Sequence, residues 1–434
     1  MSVPPSKNRV FVISELYYPE DTSTGYFITK IAEGLAETHP VEAICSKPTY
    51  SERHLDVPFR ETHGRVVIRR VRSTRMDKDR IIGRIANLMT FTLGAAWCFA
   101  RSARRGDIVI CLTNPPPLPL LIGMIAKLKN AHSVMLVHDL YPEVLVATGH
   151  LSSQSKTYRL LYKIFAATYR LFDRIIVLGR DMQELVSRKI DRKGQAPLII
   201  PNWGDVDDVF PIERSENSFA LEHGLVHKTV IQFSGNLGRT HDLETVMRAA
   251  KQLEDERDIV FLFVGYGGKA HLIDPASGGG ILPNVRFLPR QPRESLGAML
   301  ACSDATVIAF VDEMVGVSVP SRMYNIMAAG VPIIAICDRR SELAQTVDEL
   351  DCGWVLGTGD DAGLERLVRQ IHHAKTAGPA ADTMLKGSNG RRGAESRFNP
   401  ASVVAEFQNV VESFALERFS SRLNRKGIPI GRDF

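Results

Sequence analysis

The 434-residue sequence lacks several features that would decide its class quickly. Its six cysteines, at positions 45, 98, 111, 302, 337 and 352, show no CxxC spacing, so neither a zinc site nor a dithiol redox motif is spelled out. Five of them lie in or beside apolar stretches, the pattern of buried free thiols in a reducing compartment. The opening stretch MSVPPSKNRVFVISELYYPED has no apolar core of the secretory-signal kind, and the expectation is a cytoplasmic protein. No apolar run reaches the roughly 20 residues of a bilayer span. Short repeats and low-complexity tracts are absent. With 33 glycines and 23 prolines, 44% hydrophobic and 24% charged residues, collagen-like repetition and wholesale disorder are excluded. The length suits two large domains or three small ones.

What is present is first an asymmetry of charge. The net charge is +5, but residues 1–205 carry 29 Lys/Arg against 19 Asp/Glu, whereas residues 206–434 carry 25 against 30. The halves are expected to meet different partners. Much of the positive excess lies within 65–105: Arg65, Arg69, Arg70, Arg72, Arg75, Lys78, Arg80 and Arg84, against Asp77 and Asp79, precede the apolar stretch from Ile85 to Ala100, and Arg101, Arg104 and Arg105 follow it. That segment reads either as a helix lying on an anionic membrane surface or as a solvated basic loop with an ordinary core helix. Few aromatics interleave the basic residues and no nucleic-acid module is recognisable, so nucleic acid is not expected as a partner.

Secondary-structure signals alternate along the chain. Short apolar runs at 10–14, 66–71, 107–112, 133–137 and 174–178 read as strands, with helical periodicity at 26–37, 82–103, 122–129 and 158–171 between them. A polar stretch at 204–224 reads as a linker. Alternation then restarts, with strands at 230–233, 260–264, 285–288, 305–309, 333–335 and 354–356 and helices at 243–253 and 293–301. A last helix, 401–421, could pack on either half. The spacing predicts an α/β protein of two doubly wound, Rossmann-like parallel-sheet domains facing a central cleft, with ligands beyond the carboxyl ends of the strands. The expected boundaries are 1–205, 206–395 and a helix and tail at 396–434.

Several loops carry chemistry. Ser234-Gly235-Asn236-Leu237-Gly238-Arg239-Thr240-His241-Asp242 joins a strand to a helix, where backbone N–H groups, the helix dipole and Arg239 suit a phosphate, although the glycines could simply turn the chain. Gly265-Tyr266-Gly267 ends the next strand and is equally compatible with a tight turn. Pro320 to Gly330 reads as a helix between Pro and Gly signals. His138-Asp139 stands at a strand's carboxyl end, suited either to catalysis or to fixing a loop.

Together, Tyr17-Tyr18-Pro19 through Gly25, Ser46-Lys47-Pro48-Thr49-Tyr50, His138 through Glu143, Ile200-Pro201-Asn202-Trp203, Ser234-Gly235-Asn236 and Pro320-Ser321-Arg322 running into Ala328-Ala329-Gly330 resemble the retaining family-4 glycosyltransferases of the GT-B fold. The similarity runs from about Val10 to Ala374. It is strongest to the subgroup that builds bacterial exopolysaccharide, colanic-acid-like or O-antigen chains and includes N-acetylfucosaminyl transferases.

The resemblance implies metal-independent, cofactor-free transfer from a nucleotide sugar, UDP-linked in preference to GDP-linked, to a polyprenyl-diphosphate-linked glycan by an enzyme peripheral to the inner face of the plasma membrane. It implies that His138 and Asp139 sit at the reacting sugar. Gly25, Gly235, Asn236, Gly238, Arg239, His241 and Arg322 would attend the donor diphosphate. Gly265, Gly267, Leu288, Arg290 and Asn325 would receive the nucleoside, and Ser318, Val319, Pro320 and Ser321 the donor sugar. The family commonly has two glutamates eight positions apart, where this chain has Val317 and Asn325. Asn236 and His241 replace its usual phosphate-loop Arg and Lys, leaving Arg239 and Arg322 to supply charge. An inactive nucleotide-sugar-binding assembly partner and a nucleotide-sugar epimerase are the competing readings.

Overall fold

The computed structural model describes residues 8–48, 55–76, 81–191, 196–274, 282–378 and 381–425. The first half is a sheet of Val10–Ile13 (β1), Val41–Cys45 (β2), Arg60–His63 (β3), Val66–Arg70 (β4), Ile108–Leu112 (β5), His132–Leu136 (β6), Arg174–Val177 (β7) and Leu198–Ile199 (β8), in the order β3-β4-β2-β1-β5-β6-β7-β8. Every pairing is parallel except that of β3 with β4. Central strands such as VFVI and IVICL are buried along their whole length, as helices on both faces require. The helices are Ser23–Ala36 (α1), Ile81–Ser102 (α2), Leu118–Lys129 (α3), Glu143–Ala147 (α4), Lys156–Tyr169 (α5) and Arg180–Ile190 (α6).

Strand β2 escapes the sequence pattern because Glu42 interrupts its apolar run. The carboxylate is buried against Arg69 at 2.8 Å. The basic run is correspondingly not one solvated patch. Arg70 is buried, donating to the carbonyls of Pro58 and Tyr18 at 2.7 and 2.8 Å, and Arg69 also reaches Ser102 Oγ at 2.9 Å. Arg72, Arg75, Arg84, Arg101, Arg104 and Arg105 remain exposed. Thr49, Tyr50, Asp77, Lys78, Asp79 and Arg80 lie outside the described residues.

The second half begins within the expected linker, which contains a short helix, Ser218–Glu222 (α7), with Phe219 and Ala220 buried. Its sheet comprises Thr229–Asn236 (β9), Ile259–Tyr266 (β10), Val285–Leu288 (β11), Ala305–Ala309 (β12), Ile333–Ile336 (β13) and Gly353–Leu356 (β14), all parallel, in the order β11-β10-β9-β12-β13-β14. Leu243–Gln252 (α8), Leu296–Ala301 (α9), Arg322–Ala328 (α10), Glu342–Leu350 (α11), Asp361–Ala377 (α12) and Ala381–Ser396 (α13) complete this half.

The last helix, Pro400–Arg425 (α14), returns to the first half. It packs on α1 where Gly34 faces Val404 so closely that a β-carbon would overlap the valine. Gln408 donates to the Gly34 carbonyl at 2.9 Å, and Phe414 stacks on His132 with ring centres 4.6 Å apart. The two chain crossings meet, Gly204 N–H donating to Phe398 O at 3.0 Å. Elsewhere along the seam Leu140 N–H donates to Val317 O at 2.9 Å, and the buried Asp181 carboxylate accepts from the Gly316 and Glu342 amides at 2.9 and 3.0 Å. Each such bond contributes about 1 kcal/mol net, but leaving Asp181 unpaired would cost more.

Candidate functional site

The carboxyl ends of β9 and β10 and the amino end of α10 face the loop that opens α1 across a cavity of about 340 Å³. Ser234, Gly235, Asn236, Gly265 and Tyr266 line its floor, and Ser321, Arg322 and Asn325 come from α10 and the turn before it. The segment from Arg290 to Arg293 closes one side, and Asp21 to Ser23 with Tyr26 and Phe27 form the facing wall. The walls touch: Ser23 Oγ and Ser321 Oγ are 2.7 Å apart, and Arg290 pairs with Asp21 at 2.6 Å.

Arg322 supplies the cation at the strand ends. Its Nη1 donates to Ser234 O at 2.6 Å, and its guanidinium lies over the Phe233 ring. Its Nη2 meets His241 Nε2 at 2.9 Å. A guanidinium only donates, so Nε2 accepts and the imidazole proton sits on Nδ1, 3.0 Å from Ala309 O. Burial, then the charge of Arg322, holds the His241 pKa well below its usual value, so the ring stays neutral. Burial pulls Arg322 down to about 10, which leaves it charged at neutral pH. Gly235 is obligatory beside it: φ is +121°, and a β-carbon there would stand 3.2 Å from Nη1.

A second cluster closes the cavity. The Asp205 carboxylate accepts from Tyr26 Oη and from Arg293, whose guanidinium lies 3.5 Å over the tyrosine ring. The Asp205 amide donates to Asn325 Oδ1 at 2.8 Å. Burial and the neighbouring Asp205 charge push the Tyr26 phenol well above its ordinary pKa, so it remains a donor.

Asp139 meets Ser318 of the 316–320 segment at the seam, with His138 next to it in sequence. Burial lowers His138 to about 4, and its Nε2 has no hydrogen-bond partner among the described residues. Burial raises Asp139, a hydrogen bond with Ser318 opposing the shift. Val317 is 2% exposed; its side chain belongs to the core while its carbonyl holds Leu140.

Of the residues singled out from the sequence, the cavity gathers Gly235, Asn236, Gly265, Arg290, Ser321, Arg322 and Asn325 along its walls. Others stand elsewhere. The Gly25 amide caps α1 through Thr22 Oγ1 at 3.2 Å, and Gly267 is pressed against the Leu237 backbone. Arg239 is exposed on the turn beside Gly238, and Leu288 packs against the core at the end of β11. Ser318 and Pro320 line a small crevice next to Asp181, with Val319 buried beside them. Tyr26, Asp205 and Arg293 were missed; each lies in a segment read as plain helix or linker, and only the tertiary fold joins them.

Two doubly wound parallel-sheet domains closing on a cleft at their strand ends define the GT-B class of glycosyltransferases. Residues 24–203 match the glycosyl transferase 4-like domain, and residues 218–383 match the glycosyl transferases group 1 family. The chain is 30% identical over 371 residues to the probable glycosyltransferase WbjE of Pseudomonas aeruginosa, covering 84% of this chain and 89% of that one. It is 26% identical over 355 residues to the putative colanic acid biosynthesis glycosyl transferase WcaI of Escherichia coli K12, covering 78% and 85% respectively. The same fold is found in sucrose-phosphate synthase from Thermosynechococcus elongatus, with a TM-score of 0.72 and 15% identity over 95% of this chain and all of that one. Anabaena HepE in complex with UDP superposes with a TM-score of 0.68 at 13% identity, over 94% of this chain and all of that one. The chain belongs to the glycosyl transferases group 1 family.

Proposed function

We propose that the protein transfers a sugar, with retention, from a nucleotide diphosphate sugar to a polyprenyl-diphosphate-linked glycan in bacterial surface-polysaccharide synthesis. The observation that carries this reading is Arg322, fixed by the Ser234 carbonyl beside Gly235 at the strand end where a diphosphate would leave. A UDP-sugar is favoured, since HepE with the same fold is found with UDP. The names of WbjE and WcaI support the bacterial glycan setting.

The leaving diphosphate gains negative charge as the glycosidic bond breaks. A half-buried, preorganised guanidinium stabilises that charge more in the transition state than in the ground state. Arg322 therefore carries the diphosphate role, with Gly235 and Asn236 beside it, while His241 acts through Arg322. Arg290, Gly265 and Asn325 receive the nucleoside. Ser321, on the cavity wall, faces the donor sugar, while Ser318, Val319 and Pro320 brace the segment behind it. His138, neutral at physiological pH, offers a hydrogen bond to a sugar hydroxyl rather than a charge, and Asp139 is steadied by Ser318. Neither a metal nor a cofactor is needed in this scheme, and front-face transfer needs no enzyme nucleophile. The enzyme works at the cytoplasmic face of the membrane that holds its acceptor.

The test is a screen of UDP- and GDP-sugars with membrane extract as acceptor source, followed by product mass analysis. Turnover of one donor that Arg322→Ala abolishes is expected. Turnover of none, with nucleotide sugar still bound, would point instead to an inactive assembly partner.

A further inference from the structure

The helices α2, α3 and α5 cover one face of the first sheet and share a single core layer with it. Each sends one side inward: Phe91, Ala95 and Phe99 of α2, Leu118 and Ile122 of α3, and Tyr169 of α5 are buried. Their outward sides are not the polar sides that amphipathic surface helices normally present. On α2 the exposed residues Ile82, Ile85, Met89, Leu93 and Trp97 follow one another at three- and four-residue spacing. They form a stripe about 22 Å long at the helical rise per residue. On α3, Met124 and Leu128 are exposed, the latter by 79%; on α5, Leu160 and Ile164 are exposed, the former by 60%. Single exposed leucines need no explanation, but aligned apolar residues on three adjoining helices do.

Charge says what covers this face. Two basic residues lie on α2, two on α3 and three on α5, and the three helices contain no Asp or Glu. Arg101 sits over the Trp97 ring, Lys127 and Lys129 flank Leu128, and Arg159 and Lys163 flank Leu160. A second copy of this face would meet it with like charge. An anionic bilayer complements both components, taking apolar side chains among its acyl chains and basic ones among its headgroups. Among the described residues no helix is long and apolar enough to cross a membrane.

We infer that the α2–α3–α5 layer is a docking surface on which the first domain lies flat against an anionic phospholipid bilayer. The surface extends far beyond the 65–105 segment, and residues nearly 60 positions further along, on α5, belong to it. The inference rests on the proposal that the acceptor is held in a membrane. Its test uses neither donor nor acceptor, so failure of the transferase reading and failure of the docking surface are separable.

The experiment is co-sedimentation of the full chain with vesicles of equal parts phosphatidylcholine and phosphatidylglycerol, at low and high salt. Binding at low salt that weakens with salt is expected, because the headgroup attraction is screened. Leu128→Glu and Leu160→Glu should each weaken partitioning roughly tenfold or more, since each puts a charge where an exposed apolar side chain would enter the bilayer. Thermal melts check that each variant folds. Trp97 gives an independent readout in the unaltered chain: its emission, taken as the difference from Trp97→Phe, should shift to the blue and be quenched by lipids brominated on the acyl chains. Equal binding to phosphatidylcholine alone, full binding by both glutamate variants, or a solution dimer that Leu93→Glu dissociates would each overturn the proposal.

Discussion

The guanidinium of Arg322 is held by the neutral imidazole of His241, Nη2 to Nε2 at 2.9 Å, and the imidazole is fixed from behind by the Ala309 carbonyl. In the proposed scheme a pair from two elements takes the place of the usual phosphate-loop lysine: an arginine reaching back from α10 and a histidine that aims it. Arg322→Ala should lower donor turnover roughly 100-fold or more, the effect of removing a preorganised charge from a transition state. Arg239→Ala, on the exposed turn, should change it about twofold at most, within the range of a screened surface charge. Steady-state kinetics on the two single variants measures this, and equal losses would contradict the assignment.

His241→Ala should act mainly by loosening Arg322. Donor KM is expected to rise roughly tenfold, the scale of about one charge-assisted hydrogen bond. His241→Gln, which can still accept from the guanidinium, should recover part of the loss. Kinetics that leave KM unchanged in both variants would place His241 outside donor binding.

Reinstating the family's first glutamate should fail. Val317→Glu would place a carboxylate at a core position, costing about 3 kcal/mol or more, with no gain in turnover. Urea unfolding and donor assays measure the two parts. Asn325→Glu is the more informative partner, because it would replace a neutral acceptor with a charge beside Asp205.

Acid should destabilise the protein through its buried histidines. His138 titrates near 4 when folded but near the ordinary histidine value when unfolded, so the unfolded chain binds more protons between these limits. Stability contributed by the neutral ring is complete above pH ~6.5 and declines as pH falls toward 4. His241, also depressed, acts in the same direction. Asp139, raised by burial, opposes the trend at the low end. His138→Asn should flatten the fall in melting temperature between pH 6.5 and 4.

Gly34→Ala should destabilise by about 1–3 kcal/mol through overpacking against Val404, despite the better helix propensity of alanine. The double variant with Val404→Ala should recover most of that, which denaturant unfolding can measure as a coupling energy.

The fold was legible because its strands are apolar runs that a parallel sheet buries on both faces, and because loops at their carboxyl ends carry glycine. Strand β2 was hidden by Glu42, whose burial depends on Arg69, a partner 27 positions away. The cavity was legible through Gly235 and Gly265, which lie in recognisable loops, and through Arg322 and Asn325, on a helix bracketed by Pro320 and Gly330. Asp205 was illegible for the opposite reason. Nothing within the linker marks it, and its role follows only from Tyr26, Arg293 and Asn325 converging on it from three separate segments. Arg239 and Arg322 looked equivalent as charges; backbone direction alone turns one to solvent and the other into the cleft.

The Gly204–Phe398 hydrogen bond has a mechanical meaning. The second half is spliced into the first, entering near Gly204 and leaving near Phe398, and the two crossings are tied side by side. Two adjacent tethers permit rocking about the line between them and resist swivelling. Asp205, next to that axis, also holds Tyr26, Arg293 and Asn325. A widening of the cleft about that line would pivot beside the Tyr26, Arg293 and Asn325 side chains that line the cavity.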